Sequence, residues 1–335
     1  NYKGNYLNFF LKLFKLLSPE LAHSFSLNSL KLLHKLNILR LFFKKNYKDE
    51  NVIFLGMHFK NRLGTAAGLD KNGDYIDALG DLGFGFLEVG TVTPLAQSGN
   101  PKPRVFRNYR ENSIINRLGF NNKGVDHLVS NLKKKTYKGV LGVNIGANKD
   151  SIGNQRINDY LVCLEKVNKY ADYITINISS PNTPNLRDLH DSENLSILIN
   201  AIDKSIKDLD ISKPVFLKIS PDESDETISN IITHVEDSSF SGIIATNTTI
   251  DKSILVNEEI KLIDGGISGE PLMNKSTEKL SYIRSKSKDI KLIGVGGVLS
   301  KEDYDKKINA GASLVQVYTG FIIQGPKLIN NILNN

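Results

Sequence analysis

DYITINISSPNTPNLR, residues 172–187, decides the fold. Its first half alternates, is rich in β-branched side chains and is bounded, so it reads as a short strand that stops at Asn177. Its second half ends that strand with two serines, two prolines and two asparagines. Ser, Asn and Pro all favour turns, and taken alone this half reads equally well as a turn.

Seven further runs of the same kind occupy the chain from residue 62 onward: RLGTAAG (62–68), FGFLEVG (84–90), GVLGVNIG (139–146), PVFLKIS (214–220), SGIIATNT (241–248), KLIGVGG (291–297) and SLVQVYTG (313–320). Between most of them lie helical patterns, at 155–170, 224–236, 274–288 and 301–310. Eight strand–helix units of such even length predict an α/β protein, a (β/α)8 TIM barrel. A doubly wound sheet is the runner-up, but it does not require eight units.

In a (β/α)8 barrel the active site lies at the C-terminal ends of the strands. The polar residues of these runs collect there: Asn144, Asn177, Lys218, Thr246, Asn247, Tyr318 and Thr319, with Gly296 and Gly297. Strand interiors are normally apolar, so polar ends on successive strands predict one shared polar pocket. Glycines at 296–297 and the YTG at 318–320 follow the seventh and eighth strands, where barrels commonly hold a phosphate on backbone N–H groups. Lys218, at the end of PVFLK, is expected to be enclosed and therefore to need a partner. That partner is either an internal carboxylate or a ligand that gains negative charge.

The formal charge of +7 is confined to one end. Residues 1–45 hold eight of the 43 basic residues and one of the 36 acidic ones, Glu20, so the rest of the chain carries 35 of each. A neutral body argues against nucleic-acid binding, which spreads basic residues over a folded face. In the N-terminal segment, 5–17 places Tyr6, Phe9, Phe10, Leu13, Leu16 and Leu17 on one side of a helix and Asn8, Lys12 and Lys15 on the other. Ser18 and Pro19 then suit the N-cap and first position of a second helix, roughly 19–36, bearing Ala22, Phe25, Leu32, Leu33 and Leu36. Neither has the uncharged run of about 18–20 residues that a span requires. Nor does the segment read as a cleavable signal, because lysines interrupt it. It is either a hairpin capping the barrel or one lying in a membrane interface, and Phe9, Phe10 and Phe14 favour the interface. The expected division is 1–45 for this segment and 46–335 for the barrel. Cys163 is the single cysteine, so no intrachain disulfide or cysteine-rich metal site forms. The six histidines include no HExxH pair, and no metal is expected.

Together these stretches resemble the dihydroorotate dehydrogenase family, in its class 2, quinone-using and membrane-associated form. The resemblance rests on AAGLDKNG (66–73), EVGTVTP (88–94), PKPRVFR (101–107), INRLGFNN (115–122), NISSPNTPNLR (177–187), ATNT (245–248), GGISGEPL (265–272), GVGG (294–297) and YTG (318–320), all in the family's order. It implies an FMN-binding barrel that oxidises dihydroorotate to orotate in pyrimidine biosynthesis and passes electrons to a membrane quinone. It assigns the cofactor FMN to Ala66, Ala67, Gly68, Thr91, Asn144, Asn177, Lys218, Thr246, Gly269, Gly297, Tyr318 and Thr319. It assigns the substrate to Lys71, Asn116, Arg117, Leu118, Gly119, Phe120, Asn177, Asn182, Asn247 and Thr248. Ser180 is implied as the base that takes the C5 proton while hydride leaves C6, with Thr183 and Phe120 along the proton's exit. The soluble class has cysteine at that position, in a sequence like NLSCPN, so Ser180 also points to class 2. His23 and Arg107 match residues lining the quinone tunnel.

The resemblance further implies peripheral attachment through residues 1–45 to a membrane, expected to be the cytoplasmic side of a bacterial inner membrane, with the mitochondrial inner membrane as the alternative. It also implies a monomer and no nucleic-acid partner. The competing enzymes are other FMN barrels. A dihydrouridine synthase would need basic RNA contacts on the body, and an NAD(P)H-using reductase would need a GxGxxG opening a βαβ unit, which is absent. A non-catalytic docking barrel would have no use for Lys71, Ser180 and Lys218 together.

Overall fold

A computed structural model describes residues 17–43 and 45–334. The first predicted helix, with Phe9, Phe10, Phe14, Lys12 and Lys15, therefore lies outside the described residues. Thirteen strands occur among the described residues, β1 (Val52–Phe54), β2 (Met57–Phe59), β3 (Leu63–Thr65), β4 (Phe86–Val92), β5 (Val105–Asn108), β6 (Ser113–Asn116), β7 (Val140–Ile145), β8 (Tyr173–Asn177), β9 (Val215–Ile219), β10 (Gly242–Ala245), β11 (Gly266–Gly269), β12 (Lys291–Val295) and β13 (Leu314–Val317). Eight of them close into a parallel barrel in the order β3-β4-β7-β8-β9-β10-β12-β13. These are the eight runs read from the sequence. Helices Gly153–Val167, Ser192–Asp208, Asp225–Glu236, Met273–Lys286 and Lys301–Asn309 pack outside, and their apolar faces bury the main core against the strands.

The barrel interior is layered. Its lower layer is aromatic, with Phe86, Tyr173 and Phe216 pointing inward in edge-to-face pairs: Phe86–Tyr173 at 6.4 Å and Tyr173–Phe216 at 5.7 Å between centroids. Room for these rings comes from Gly64 and Gly142. A Cβ at either would lie within 2.5 Å of the Phe86 or Tyr173 ring. The β1–β2 hairpin plugs this end from below, with Phe59 5.5 Å from Phe86 and Phe54 6.3 Å from Phe216.

Three elements were not anticipated. The β1–β2 hairpin is one. The others are the β5–β6 hairpin and β11, which form a separate three-stranded antiparallel sheet with β6 in the centre. That sheet stands at the C-terminal end of the barrel and brings Asn116 and Gly269 to its mouth.

Helix Pro19–Lys35 agrees with the second expected helix, and Pro19 takes its first turn. Ser18 occupies the N-cap position, but its side chain makes no capping hydrogen bond. The helix lies against helix Ile76–Gly80 and β5. Five polar side chains tie it down: Glu20 to Arg104 at 2.9 Å, His23 to the Leu69 carbonyl at 3.0 Å, Asn28 to the Tyr75 hydroxyl at 3.1 Å, Lys31 to the Asp74 carbonyl at 2.8 Å and His34 to Asp81 at 2.7 Å. Leu21, Phe25 and Leu32, with Leu36 just past the end, face solvent at 57–62% exposure. At 100° per residue these four lie within about 60° of one another, away from the tethered side.

Candidate active site

A cleft opens at the C-terminal ends of the barrel strands, about 980 Å³ including its mouth. Of the residues that the resemblance assigns to FMN, Ala66, Ala67, Gly68, Thr91, Asn177, Lys218, Thr246, Gly269, Gly297, Tyr318 and Thr319 line it. Asn144 does not; it is fully buried one layer below. On the substrate side Lys71, Asn116, Leu118, Gly119, Phe120, Asn182, Asn247 and Thr248 line the same cleft, together with Ser180. Arg117 turns away. Its guanidinium donates to the Pro103 carbonyl at 2.9 Å and stacks 5.3 Å from the Phe106 ring.

The polar layer beneath the cleft is organised by a carboxylate that the sequence reading passed over. Glu88, on β4, is 1% exposed and accepts hydrogen bonds from four side chains. Asn144 Nδ2 donates at 2.9 Å, the Tyr173 hydroxyl at 2.8 Å, Thr175 Oγ1 at 3.2 Å and Gln316 Nε2 at 2.7 Å. An acceptor at one end of a chain of amides fixes the direction of each. Asn144 turns its nitrogen to Glu88 and so its oxygen to Thr91 (2.6 Å) and Asn177 (3.2 Å). Asn177 in turn presents its oxygen to Asn247 Nδ2 at 3.3 Å. Gln316 spends its nitrogen on Glu88, which leaves its buried Oε1 without a partner among the described residues.

Lys218 is paired directly with Asn177 across β8 and β9 and is 5% exposed. Among the described residues it makes no hydrogen bond and no ion pair. Burial lowers its pKa, and the Glu88 charge opposes that fall. Of the two partners considered for this lysine, the internal carboxylate contact does not form. A buried, uncommitted ammonium and an orphaned amide oxygen both line the cleft, and such groups call for a polar ligand.

Lys71 follows a tight turn. Asp70, fully buried, accepts from the Asp74 and Tyr75 backbone N–H groups at 3.0 and 2.8 Å. Burial pushes the Asp70 pKa up to about 6 and draws Lys71 down to about 8, the latter offset by Glu20 and Asp70 and reinforced by Arg104.

The loop after β8 closes over one side. Arg187 donates to the Ser179 carbonyl at 3.2 Å and the Thr248 carbonyl at 3.0 Å, and pairs with Asp222 at 2.8 Å. Arg156 holds the Pro184 and Asn185 carbonyls at 3.0 and 2.6 Å. Asn182 reaches across to Asn116 at 3.2 Å, joining this loop to β6. Within it, Ser180 Oγ accepts from the Asn182 N–H at 3.3 Å, its only hydrogen bond among the described residues, so its O–H is uncommitted. Thr183 Oγ1 is buried without a partner. Phe120 adopts a left-handed φ of 51° and is buried at the cleft wall.

His23, on the docked helix, and Arg107, on the strand packed against it, lie outside the cleft lining. The His23 Nε2 contact is to the carbonyl of Leu69, one residue from Gly68 of the cleft. Burial, with Lys71 nearby, lowers the His23 pKa to about 4, so at neutral pH its Nε2 is the N–H donor and Nδ1 an acceptor. Arg107, on β5, donates to the Leu17 carbonyl and stacks 5.5 Å from the Tyr109 ring. Among the described residues no cluster of His, Cys, Asp and Glu suits a metal, and no helix is long and apolar enough to cross a membrane.

Comparison with known proteins gives a consistent picture. The family model described as dihydroorotate dehydrogenase matches residues 50–335. A protein of Saccharophagus degradans named dihydroorotate dehydrogenase (quinone) is 48% identical over 322 residues, covering 95% of this chain and 94% of that one. One of the same name from Idiomarina loihiensis is 47% identical, covering 95% and 96%. Among solved structures, the Eimeria tenella dihydroorotate dehydrogenase in complex with ferulenol superposes with a TM-score of 0.83 at 34% identity, over 94% of this chain and 90% of that one.

Proposed function

The chain belongs to the dihydroorotate dehydrogenase family, and from that premise we propose how its parts work. It oxidises dihydroorotate to orotate with a quinone as electron acceptor, a step of pyrimidine biosynthesis. Its cofactor is a flavin, and the cleft favours FMN. The observation that carries this reading is that the buried, unpaired Lys218 and the orphaned Gln316 Oε1 line the same cleft as the Gly296–Gly297 backbone N–H groups, which have no acceptor among the described residues. A flat, amide-edged ring ending in a phosphate complements both. When bound, FMN supplies the hydride acceptor.

The chain's own residues do the rest. Lys71 offers positive charge to the substrate carboxylate, and Asn116, Asn182 and Asn247 offer amide donors and acceptors to the ring edges. Ser180 takes the C5 proton. A hydroxyl is a weak base, so its setting matters: it is buried, its O–H is uncommitted, and the loop that bears it is pinned by Arg156 and Arg187. Thr183, with its unpartnered hydroxyl, and Phe120 form the proton's way out. Lys218 stabilises negative charge that develops at the cofactor's edge.

Residues 1–45 act as a separate unit from the barrel of 46–335, docking the enzyme on a membrane surface as a monomer. The solvent-facing row Leu21, Phe25, Leu32 and Leu36 supports this, because the opposite side of the same helix is already held on the barrel. His23 and Arg107 serve the quinone there, close to the Leu69 backbone that borders the cleft. The cytoplasmic face of a bacterial inner membrane suits this arrangement.

The test is a visible spectrum of the purified protein, followed anaerobically by dihydroorotate. Bleaching of a bound flavin is the expected result. A yellow protein that ignores dihydroorotate would overturn the substrate assignment, and a protein that neither carries nor takes up FMN would overturn the cofactor.

A further inference from the structure

We propose that Lys307 is the buried counter-charge of the cofactor phosphate, acting from behind the anion cradle through Ser276 and the Gly296–Gly297 peptide. The inference rests on the FMN reading above.

The cradle is built from two backbone segments lining the cleft. The N–H groups of Gly296, Gly297 and Val298, after β12, have no acceptor among the described residues. Thr319 and Gly320, after β13, sit in the first helical turn, where N–H groups have no intrahelical partner. The β12 turn is pressed onto the start of helix Met273–Lys286. Gly297 has φ 83°, and a Cβ there would lie 2.3 Å from the Met273 Cα. At Gly296 a Cβ would lie 2.9 Å from Ser276 Oγ. Ser276 Oγ has two carbonyls in reach, Gly296 at 3.0 Å and Met273 at 3.2 Å, and gives its one proton to the nearer. In a planar trans peptide the N–H points opposite to the C=O, so this bond leaves the Gly297 N–H directed away from Ser276.

Lys307 completes the arrangement. It comes from helix Lys301–Asn309, is 0% exposed, and its Nζ donates to Ser276 Oγ at 2.5 Å. Among the described residues no carboxylate lies within ion-pair distance of it. Asp303, one turn earlier, is the acid whose charge acts on it, but one carboxylate oxygen of Asp303 is engaged by the Leu299 N–H at 3.1 Å. Burial lowers the pKa of this lysine to about 7. A lysine shielded from bulk solvent and without a carboxylate partner among the described residues is costly to bury charged, and the position is explained if an anion is bound nearby. The route to that anion is a donor chain: ammonium to hydroxyl, hydroxyl to Gly296 carbonyl, and the polarised peptide to its Gly297 N–H. Lys307 touches neither cofactor nor substrate, so it is a positioning residue for the phosphate.

The test separates phosphate from ring by titrating the full-length apoprotein with FMN and with riboflavin, following flavin fluorescence. Wild-type protein should bind FMN far more tightly than riboflavin. If it binds neither, or both equally, the FMN reading itself is wrong. Lys307→Met should weaken FMN binding roughly tenfold to a hundredfold, as expected for losing a buried charge contact, and change riboflavin binding by less than about threefold. An unchanged ratio of the two affinities would overturn the inference, because a lysine that merely fills space cannot distinguish the ligands. Should Lys307→Met not fold, Ser276→Ala decides. It keeps the lysine and breaks the chain, and it should cut FMN affinity severalfold with riboflavin unaffected. Retained selectivity in that variant would equally sink the idea.

Discussion

At the scale of single residues, two side chains in the cleft make opposite demands of their surroundings. In the role proposed for it, as the base, Ser180 would need help, and what surrounds it is burial and a fixed loop. Ser180→Ala should therefore reduce the rate of flavin reduction by dihydroorotate by roughly 10²–10⁴-fold, the usual weight of general base catalysis, while the flavin stays bound. Stopped-flow absorbance would read both, and a normal reduction rate would remove Ser180 from the role. Lys71 needs its proton to attract a carboxylate. With its pKa lowered to about 8 by burial, it is charged below that value and neutral above it. Orotate affinity should accordingly be flat at lower pH and weaken as pH rises through about 8, levelling off only above the higher pKa that the bound carboxylate gives the lysine. Titrating the flavin spectrum with orotate from pH 6.5 to 9.5 checks this, and an affinity constant to the top of that range would exclude Lys71 as the anchor. Neither Glu88 nor Gln316 was given a role from sequence, although a signal existed. FLEVG and LVQV each carry one polar residue in the middle of an apolar strand, which is an expensive place for it unless a network awaits. Only the register of the closed barrel shows that the two meet.

At the scale of elements, the eight barrel strands were legible because each is a bounded apolar run that repeats at similar spacing. The β5, β6 and β11 strands were not. Each is four residues long, and β11 pairs with β6 from about 150 positions away, so nothing local distinguishes them from turns. The docked helix was legible in its bounds and its apolar content, but not in its two-sidedness. Periodicity alone could not say that Leu27 and Leu30 would face the barrel while Leu21, Phe25, Leu32 and Leu36 would not. This element carries its own prediction. Removal of residues 1–45 should leave dihydroorotate-driven flavin reduction within about twofold of normal, since the cleft is formed by the barrel, and should abolish reduction of a lipid-soluble quinone. Quinone turnover at the full rate in the truncated protein would place the acceptor site elsewhere.

At the scale of the whole molecule, charge is distributed unevenly along the sequence. The barrel portion balances 35 basic against 35 acidic residues, and the first 45 residues hold the entire excess. Attachment to lipid should then follow that segment alone. Full-length protein should sediment with vesicles containing anionic lipid and be partly released as salt screens an attraction worth about 1 kcal/mol per basic residue near the surface. Protein lacking residues 1–45 should stay in the supernatant at every salt concentration, and its co-sedimentation would shift the docking surface to the barrel. The outward row on helix Pro19–Lys35 has one more consequence, which concerns handling. Stripped of lipid and detergent, the exposed Leu21, Leu32 and Leu36 can rest against the same row on another copy. A particle size measured in plain buffer should then report this self-adhesion, growing with concentration and falling on addition of a mild detergent.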